Sequence, residues 1–452
     1  MSPRPRLSWS DLRGARLAVW GLGVEGEATL RRLGALGIDA VLVDDSPGAP
    51  RPDGREVLAT DAGGLEALLG VEVVIKAPGI SRYRDDVAEL ERRGVAVAGG
   101  LGLWLEEVDR DRVVCVTGTK GKSTTTAIAG HLLASFGVST VLGGNIGQPP
   151  WDPGVDADPD AWVIETSSFQ ATDVASSPPL VVVTSLSPDH LDWHGDAEHY
   201  VADKLSLCTR PGAVLTVANG DSAELRRHAA LLGPEVRWVG LDQAGGWSTG
   251  LGLAGEHNRR NAELARHILE HFGVRANDEE LASATAGFVP LESRLRTIGE
   301  VDGVRFVDDS LSTNVLPTLA ALDTFANERV ALLVGGHDRG IDYAPLAEAL
   351  AERTAETLVV AMPASGVRIA AEVRDRAPAH VAVIETLGLD DAVDRAFSWA
   401  RPGGIVLLSP AAPSFGQFHD YRERSAAFAA AAGRCAPGAG PVAAQSGNGS
   451  AS

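Results

Sequence analysis

After a polar start, the chain presents an apolar run from Leu17 to Trp20, the loop Gly21-Leu-Gly-Val-Glu-Gly26, a helical stretch, and a second apolar run from Ala40 to Val43 that ends in Asp44-Asp45. Two short apolar runs flanking a helix-period segment predict a βαβ unit. Runs from Val71 to Ile75 and from Val95 to Ala98 continue the alternation, so a small parallel sheet is expected over residues 1–110.

A second strand-loop-helix begins at Val113-Val-Cys-Val116 and passes through Thr117-Gly-Thr-Lys-Gly-Lys-Ser-Thr124. It enters a helix with Ile128, Leu132 and Phe136 at i, i+4 and i+8, with Gly137 placed to cap it. Apolar strands from Trp162 to Ile164 and from Leu180 to Val183 follow, and then an amphipathic helix with Leu264, Ile268 and Phe272 after Asn261; this section spans 111–290. A third section, 291–436, repeats the pattern with buried strands at Val304 to Val307, Val330 to Val334, Thr357 to Ala361 and Ile405 to Leu408. Residues 437–452 are mostly Gly, Ala, Ser and Pro, too poor in bulky apolar side chains to offset ordering entropy, and are expected to form a disordered tail.

Composition narrows the reading. At 452 residues and 44% hydrophobic, the chain suits two to four domains, each with its own core. The net charge of −20 repels polyanions, which argues against nucleic acid or an anionic membrane as partner and requires local donors for any anionic substrate. Cys115, Cys208 and Cys435 have neither paired nor metal-ligand spacing and read as small core residues in a reducing compartment. The N-terminus lacks the apolar stretch of a signal peptide, and no run of about 18 apolar residues occurs, so a soluble cytoplasmic protein is expected.

Gly118-Thr-Lys-Gly-Lys-Ser-Thr124 lies between a strand and a helix, where backbone N–H groups and the helix N-terminus cradle phosphates. Lys122 is placed for the terminal phosphates and Ser123 for Mg²⁺, although Val116 stands where the general P-loop pattern has glycine. Gly21-x-Gly-x-x-Gly26 with Asp44 eighteen residues on fits a dinucleotide-type phosphate turn with a ribose-binding carboxylate, and equally a βα packing turn. Glu165-Thr-Ser-Ser-Phe-Gln170 and Asp189-His-Leu-Asp-Trp-His-Gly195 both follow strands, where open α/β sheets bind ligands. A Mg²⁺ site for phosphoryl transfer needs few protein ligands, and Ser123, Glu165 and His190 can supply them. His190 is equally readable as a structural histidine, and Lys204 reads locally as a solvated helix lysine.

Taken in order, Thr117-Gly-Thr-Lys-Gly-Lys-Ser, Gly144-Asn-Ile-Gly147, Glu165-x-Ser-Ser, Asp189-His-Leu-Asp192, Lys204, His257-Asn-x-x-Asn261 and Asp308-Asp-Ser310 resemble the Mur ligases over nearly the whole chain. The resemblance implies an α/β, three-domain architecture: a Rossmann-like UDP-binding N-terminal domain, a P-loop ATPase central domain and a Rossmann-like C-terminal domain that binds the incoming amino acid. It implies ATP bound by Gly118, Thr119, Lys120, Gly121, Lys122, Ser123 and Thr124, by Asn258 and Asn261, and by Arg294 and Asp309 from the third domain. It assigns the first loop to UDP, with Val24, Glu25, Gly26 and Asp44, and places Asn145 near the muramoyl substrate. Lys122, His190 and Lys204 are then the catalytic set, Lys204 being carbamylated and joining Ser123, Glu165 and His190 around two Mg²⁺ ions.

Leu311 and Arg339 depart from the lysines common in the D-glutamate-adding ligases. Gly335-Gly-His-Asp-Arg-Gly340, Ser293-Arg294 and Ser409-Pro-Ala-Ala-Pro-Ser-Phe415 look like the L-glutamate-adding branch. The implied reaction is ATP-dependent addition of L-glutamate to UDP-N-acetylmuramoyl-L-alanine through an acyl phosphate, in a monomer, with Thr313, Arg339, Ser414 and Tyr421 at the glutamate and a separate epimerase downstream. D-glutamate addition is the nearest alternative. A folylpolyglutamate synthase would leave the first 110 residues unexplained, an NAD-dependent oxidoreductase would leave the P-loop unexplained, and a nucleotide sensor would leave the catalytic set unexplained.

Overall fold

The computed structural model describes residues 4–48, 51, 53–145, 147–155, 158–338, 340–376, 378 and 380–435, without the side chain of Asp192. Arg339 and the expected tail 437–452 lie outside the described residues.

Three sheets follow one another along the chain. The first comprises β1 (Leu17–Trp20), β2 (Val41–Asp44), β3 (Val57–Ala59), β4 (Val73–Lys76) and β5 (Ala96–Gly99), all parallel, in the order β3-β2-β1-β4-β5. The second comprises β6 (Val113–Thr117), β7 (Thr140–Gly144), β8 (Ala161–Glu165), β9 (Leu180–Val183), β10 (Leu215–Asn219) and β11 (Val236–Val239), parallel, in the order β11-β10-β9-β6-β8-β7. The third comprises β12 (Arg296–Val301), β13 (Val304–Asp308), β14 (Val330–Val334), β15 (Thr357–Ala361), β16 (Val381–Glu385) and β17 (Ile405–Leu408), in the order β12-β13-β17-β14-β15-β16. Only β12 in that sheet runs antiparallel to its neighbour.

Most strands that the hydrophobic runs predict are buried on both faces, as β1, β4, β6, β8, β9, β14 and β17 are throughout, while β2 and β5 are partly exposed. Six strands are absent from that reading: β3, β7, β11, β12 and β16 lie at sheet edges, where partial exposure admits polar residues and breaks the run, and β10 lies inside the second sheet with its run broken by Thr216 and Asn219. The helix expected after Asn261 is corrected: it spans Glu256–His271, so Asn261 lies inside it and Phe272 just beyond its end. Its early turns carry Asn258 and Asn261 rather than aliphatic residues, which hides the start from an apolar-period search. Gly137 adopts φ 80° after the helix Lys122–Ser135, with Val138 N–H bonding the Leu133 carbonyl, the left-handed C-terminal cap foreseen for it.

Compactness divides the chain into two units, one holding the residues up to Leu251 with Asn258–Phe288 and the other Gly252–His257 with Val289 onward. In the first unit one apolar core runs from Leu17, Val19 and Ile75 under the first sheet to Cys115, Ile164 and Val181 under the second. In the second unit separate cores cover the two faces of the third sheet, around Leu332 and Leu407 on one side and Phe306 and Phe428 on the other.

The two sheets of the first unit are also joined through buried charge. Asp173 accepts from Lys76 Nζ at 2.6 Å and Arg82 Nε at 2.7 Å, while Arg82 also donates to the Val97 carbonyl and Arg4 to that of Thr172. Burial alone would raise the Asp173 carboxyl, but the charges of Lys76 and Arg82 outweigh it and hold it below the usual carboxylate range. Cys115, Cys208 and Cys435 are unpaired thiols, and burial pushes the first two up to about 12, as inert core residues require. Among the described residues, no helix is long and apolar enough to cross a membrane.

Candidate active site

In the second sheet, β6 is flanked by β8 and β9, so the loops leaving the C-terminal ends of these three strands meet. The loop after β6 turns at Gly118 with φ 137°, a conformation that only glycine adopts easily. It is lashed to the loop after β9: Thr119 N–H bonds the Ser185 carbonyl at 2.9 Å, Lys120 N–H bonds Ser185 Oγ at 2.8 Å, and Thr184 Oγ1 donates to the Lys120 carbonyl at 2.6 Å. The strapping fixes the start of the helix Lys122–Ser135, a helix N-terminus of the kind that suits a phosphate chain. Ser123 and Thr124 are buried in its first turn.

Lys122 Nζ donates to the carbonyls of Gly118 at 2.9 Å and Thr119 at 3.2 Å. Lys204, on the helix Ala197–Leu205, is 3% exposed and donates to the same Gly118 oxygen at 3.0 Å. This overturns the reading of Lys204 as a solvated helix lysine, because β9 and the helix Ala197–Leu205 carry it under the loop. Burial, and after it the nearby charge of Lys122, holds the Lys204 amine well below the ordinary lysine range.

Glu165 ends β8 and is 1% exposed. Its Oε1 accepts from Asn145 Nδ2 at 2.8 Å, while its buried Oε2 has no hydrogen-bond partner among the described residues. A buried carboxylate oxygen without a donor is costly unless a cation completes it, so the site suits a divalent ion. Asp189 follows β9, and Lys120 Nζ lies 3.4 Å from its Oδ2. Burial would raise this carboxyl, yet the charges of Lys120 and His190 hold it below its usual value. His190 has the left-handed φ of 51° and packs its half-exposed ring on Phe169 at 5.0 Å. Such a conformation costs of order 1 kcal/mol outside glycine and marks sites where a side chain is aimed for a purpose. Among the described residues, no three His, Cys, Asp or Glu side chains are placed to share a metal ion, so phosphate oxygens and a modified Lys204 would have to complete any shell.

Asn258 and Asn261 are buried and bonded to each other at 3.3 Å, and a Cβ on Gly121 would lie 2.7 Å from Asn261 Oδ1. That helix face therefore abuts the phosphate loop. At the first sheet, Asp44 accepts from Leu22 N–H at 2.7 Å and Ser46 N–H at 2.9 Å, tying the glycine loop to the end of β2. Gly26 packs against Gly21, whose carbonyl oxygen would stand 2.0 Å from a Cβ there. Val24 is exposed, and Glu25 accepts from Gln170 Nε2 at 2.7 Å, with burial lifting its carboxyl to about 7.

In the second unit, β13, β17 and β14 are adjacent and parallel, so the loops bearing Asp309 and Thr313, Ser414, and Gly335 and His337 gather at one edge. Arg424, 1% exposed, joins them by donating to the carbonyls of Ser310 at 2.7 Å and Ala412 at 3.2 Å, and His337 N–H bonds that of Pro413 at 2.8 Å. Tyr421 opens the helix that carries Arg424. Asp309 accepts from Ser409 Oγ at 2.8 Å, from Ser312 and from Leu295 N–H, and lies in the field of Arg294; burial nonetheless raises its carboxyl to about 7. Sequence reasoning passed over Arg424, Gln170, His194 and Asp203. The last three sit inside or beside the motifs named above, but only their burial reveals a role.

Two family descriptions match the chain, Mur ligase middle domain over residues 116–272 and Mur ligase, glutamate ligase domain over 293–412. A protein of Xanthomonas euvesicatoria pv. vesicatoria named UDP-N-acetylmuramoyl-L-alanine--L-glutamate ligase is 42% identical, the match covering 94% of this chain and 96% of that protein. A protein of the same name from Salinispora tropica is 41% identical over 93% of this chain and 98% of its own length. Among solved structures, the UDP-N-acetylmuramate-alanine ligase MurC of Thermotoga maritima superposes with a TM-score of 0.53 at 18% identity, covering 92% of this chain and 98% of that one.

Proposed function

The chain belongs to the Mur ligase family, and on that premise we infer that it is an ATP-dependent ligase adding L-glutamate to UDP-N-acetylmuramoyl-L-alanine in peptidoglycan precursor synthesis. The observation that carries this reading is the 42% identity to a ligase of that name over 94% of the chain, a span that includes the first sheet as well as the phosphate loop.

The reaction proceeds in two displacements. The alanyl carboxylate attacks the γ-phosphorus of ATP and ADP leaves, giving an acyl phosphate; the glutamate amine then attacks the acyl carbon, loses a proton, and phosphate leaves. Lys122 and the N–H groups at the start of its helix hold the phosphate chain and offset the charge that spreads over the transferring group. Lys204 takes part as a carbamate: its amine, whose neutral form burial favours, attacks CO₂ and loses a proton, so an amine becomes an anionic ligand. Ser123, Glu165, His190 and that carbamate would hold Mg²⁺, which would supply charge neutralisation for the phosphoryl transfer. The unpartnered Glu165 Oε2 supports this assignment.

The three sheets correspond in this reading to a UDP-binding domain over 1–110, an ATP-binding domain over 111–290 and a glutamate-binding domain over 291–436. Val24, Glu25, Gly26, Asp44 and Asn145 are assigned to the UDP substrate, and Asn258, Asn261, Arg294 and Asp309 to ATP. Thr313, Arg339, Ser414 and Tyr421 are assigned to glutamate, with Arg339 presenting a planar fork to a carboxylate. A cytoplasmic monomer whose product passes to an epimerase completes the picture.

The deciding experiment is mass-detected product formation from UDP-N-acetylmuramoyl-L-alanine, ATP and Mg²⁺ with L- or D-glutamate in separate reactions. Product with L-glutamate alone is expected. Product with D-glutamate alone would keep the ligase and overturn the stereochemistry, and product with neither would overturn the substrate.

A further inference from the structure

His194 is wholly buried and makes two side-chain hydrogen bonds to distant segments. Its Nδ1 lies 2.7 Å from Asp203 Oδ2 and its Nε2 lies 2.9 Å from Ser168 Oγ. A carboxylate only accepts, so Nδ1 carries the proton that Asp203 receives. Asp203 is 1% exposed and Ser168 2% exposed, and Tyr83 donates its hydroxyl to the same Asp203 oxygen at 2.9 Å.

The order Ser, His, Asp is that of a nucleophilic triad. Ser168 is sealed inside the fold and no acyl group reaches it, so the same geometry acts as a strut. What it joins is specific. Ser168 stands three residues after Glu165, His194 four residues after His190, and Asp203 immediately before Lys204. One imidazole thus bridges the three segments that bear the assigned cation ligands Glu165, His190 and Lys204. Through Tyr83, together with Ser81 Oγ donating to the Trp193 carbonyl at 2.7 Å and Trp193 Nε1 to that of Gly79 at 3.2 Å, it also holds the loop after β4 of the first sheet.

We propose that His194 is a positioning residue that sets the spacing of the cation-binding segments through Ser168 and Asp203, and ties that spacing to the first sheet through Tyr83. The proposal rests on the ligand set assigned above, since His194 itself touches none of the reacting groups. The Glu165 segment follows β8, whereas the two successive helices that bear His194 and Asp203 follow β9, so without a buried cross-link the side chains of the two stretches would sample positions too loose for one ion.

The test measures Mn²⁺ binding to the ADP complex of the full chain by electron paramagnetic resonance, beside unfolding midpoint and ADP affinity in metal-free buffer. Ser168→Ala removes only the link to the Glu165 segment. His194→Asn keeps an amide N–H for Asp203 and loses Ser168, and His194→Ala loses both. Outer partners of metal ligands typically contribute 10- to 100-fold in affinity. Mn²⁺ affinity is expected to fall about tenfold in Ser168→Ala and His194→Asn and further in His194→Ala, with metal-free ADP affinity within about twofold of wild type. Equal Mn²⁺ affinity in wild type, Ser168→Ala and His194→Asn would overturn the proposal, and because Ser168→Ala is the mildest change, a failure of His194→Ala to fold leaves that comparison standing. If wild type forms no product with L-glutamate, the substrate reading falls, while the Mn²⁺ comparison judges the strut independently.

Discussion

Lys122 and Lys204 donate to the same acceptor, the Gly118 carbonyl oxygen, at 2.9 and 3.0 Å. Two ammonium groups at one oxygen repel, and burial first, then the charge of Lys122, holds the more deeply buried Lys204 amine well below the ordinary lysine range, which favours its neutral form. A neutral amine is the form that captures CO₂. Lys204→Ala is therefore expected to lower kcat by about 10²- to 10³-fold, the scale for loss of a charge-stabilising group. Acetate or formate, filling the place of the missing carbamate, should restore part of it, whereas Lys204→Arg, which fills the space with a cation, should not respond. Rates with and without added carboxylate decide; no response in Lys204→Ala would sink the carbamate.

The Glu25 carboxyl, lifted by burial to about 7 from an ordinary value of 4.5, makes stability depend on pH. Between those values the folded chain holds a proton that the unfolded chain has lost, so its contribution is fully present below pH 4.5 and fades as pH rises through 7. Glu25→Gln keeps an acceptor for Gln170 and removes the proton. Urea unfolding at pH 5.5 and 8 should show the variant gaining about 1–3 kcal/mol on wild type at the higher pH. Parallel curves would refute the assignment.

Asp173→Asn should be among the most destabilising single changes in the first unit. It leaves Lys76 and Arg82 buried without their shared anion, and breaking one partner of such a set costs about 3–5 kcal/mol. The unfolding midpoint in denaturant measures it, and a loss below about 1 kcal/mol would mean that water or the Ile80 and Val97 carbonyls take over.

Gly118→Ala should strike nucleotide binding. A Cβ there would lie 2.2 Å from Thr184 Oγ1 and 2.9 Å from Ser185 N, at a φ of 137°, so the loop must shift away from the strands that aim it. ADP affinity by calorimetry is expected to fall at least about tenfold, the scale of a 1.4 kcal/mol displacement. Unchanged affinity would show that the loop tolerates another path.

Much of the fold was legible because buried parallel strands announce themselves. Val330 to Val334 and Ile405 to Leu408 are continuous apolar runs whose bounds the structure reproduces. Thr140–Gly144 and Val236–Val239 were not, since an edge strand faces solvent and needs no such run.

By itself the amino-acid order determined the class of chemistry: a glycine loop between strand and helix, acidic and imidazole groups after the next strands, and an ordered set of motifs resembling one ligase family. Local pattern suffices there because a phosphate cradle is built from consecutive backbone N–H groups. The tertiary structure alone decided that Lys204 lies buried beside Lys122, that Asp173 binds Lys76 and Arg82, and that His194 joins Ser168 to Asp203. Periodicity describes one element at a time. A lysine's neutrality or a histidine's tautomer depends on which distant groups share its low-dielectric surroundings, and only the packed chain brings those groups together.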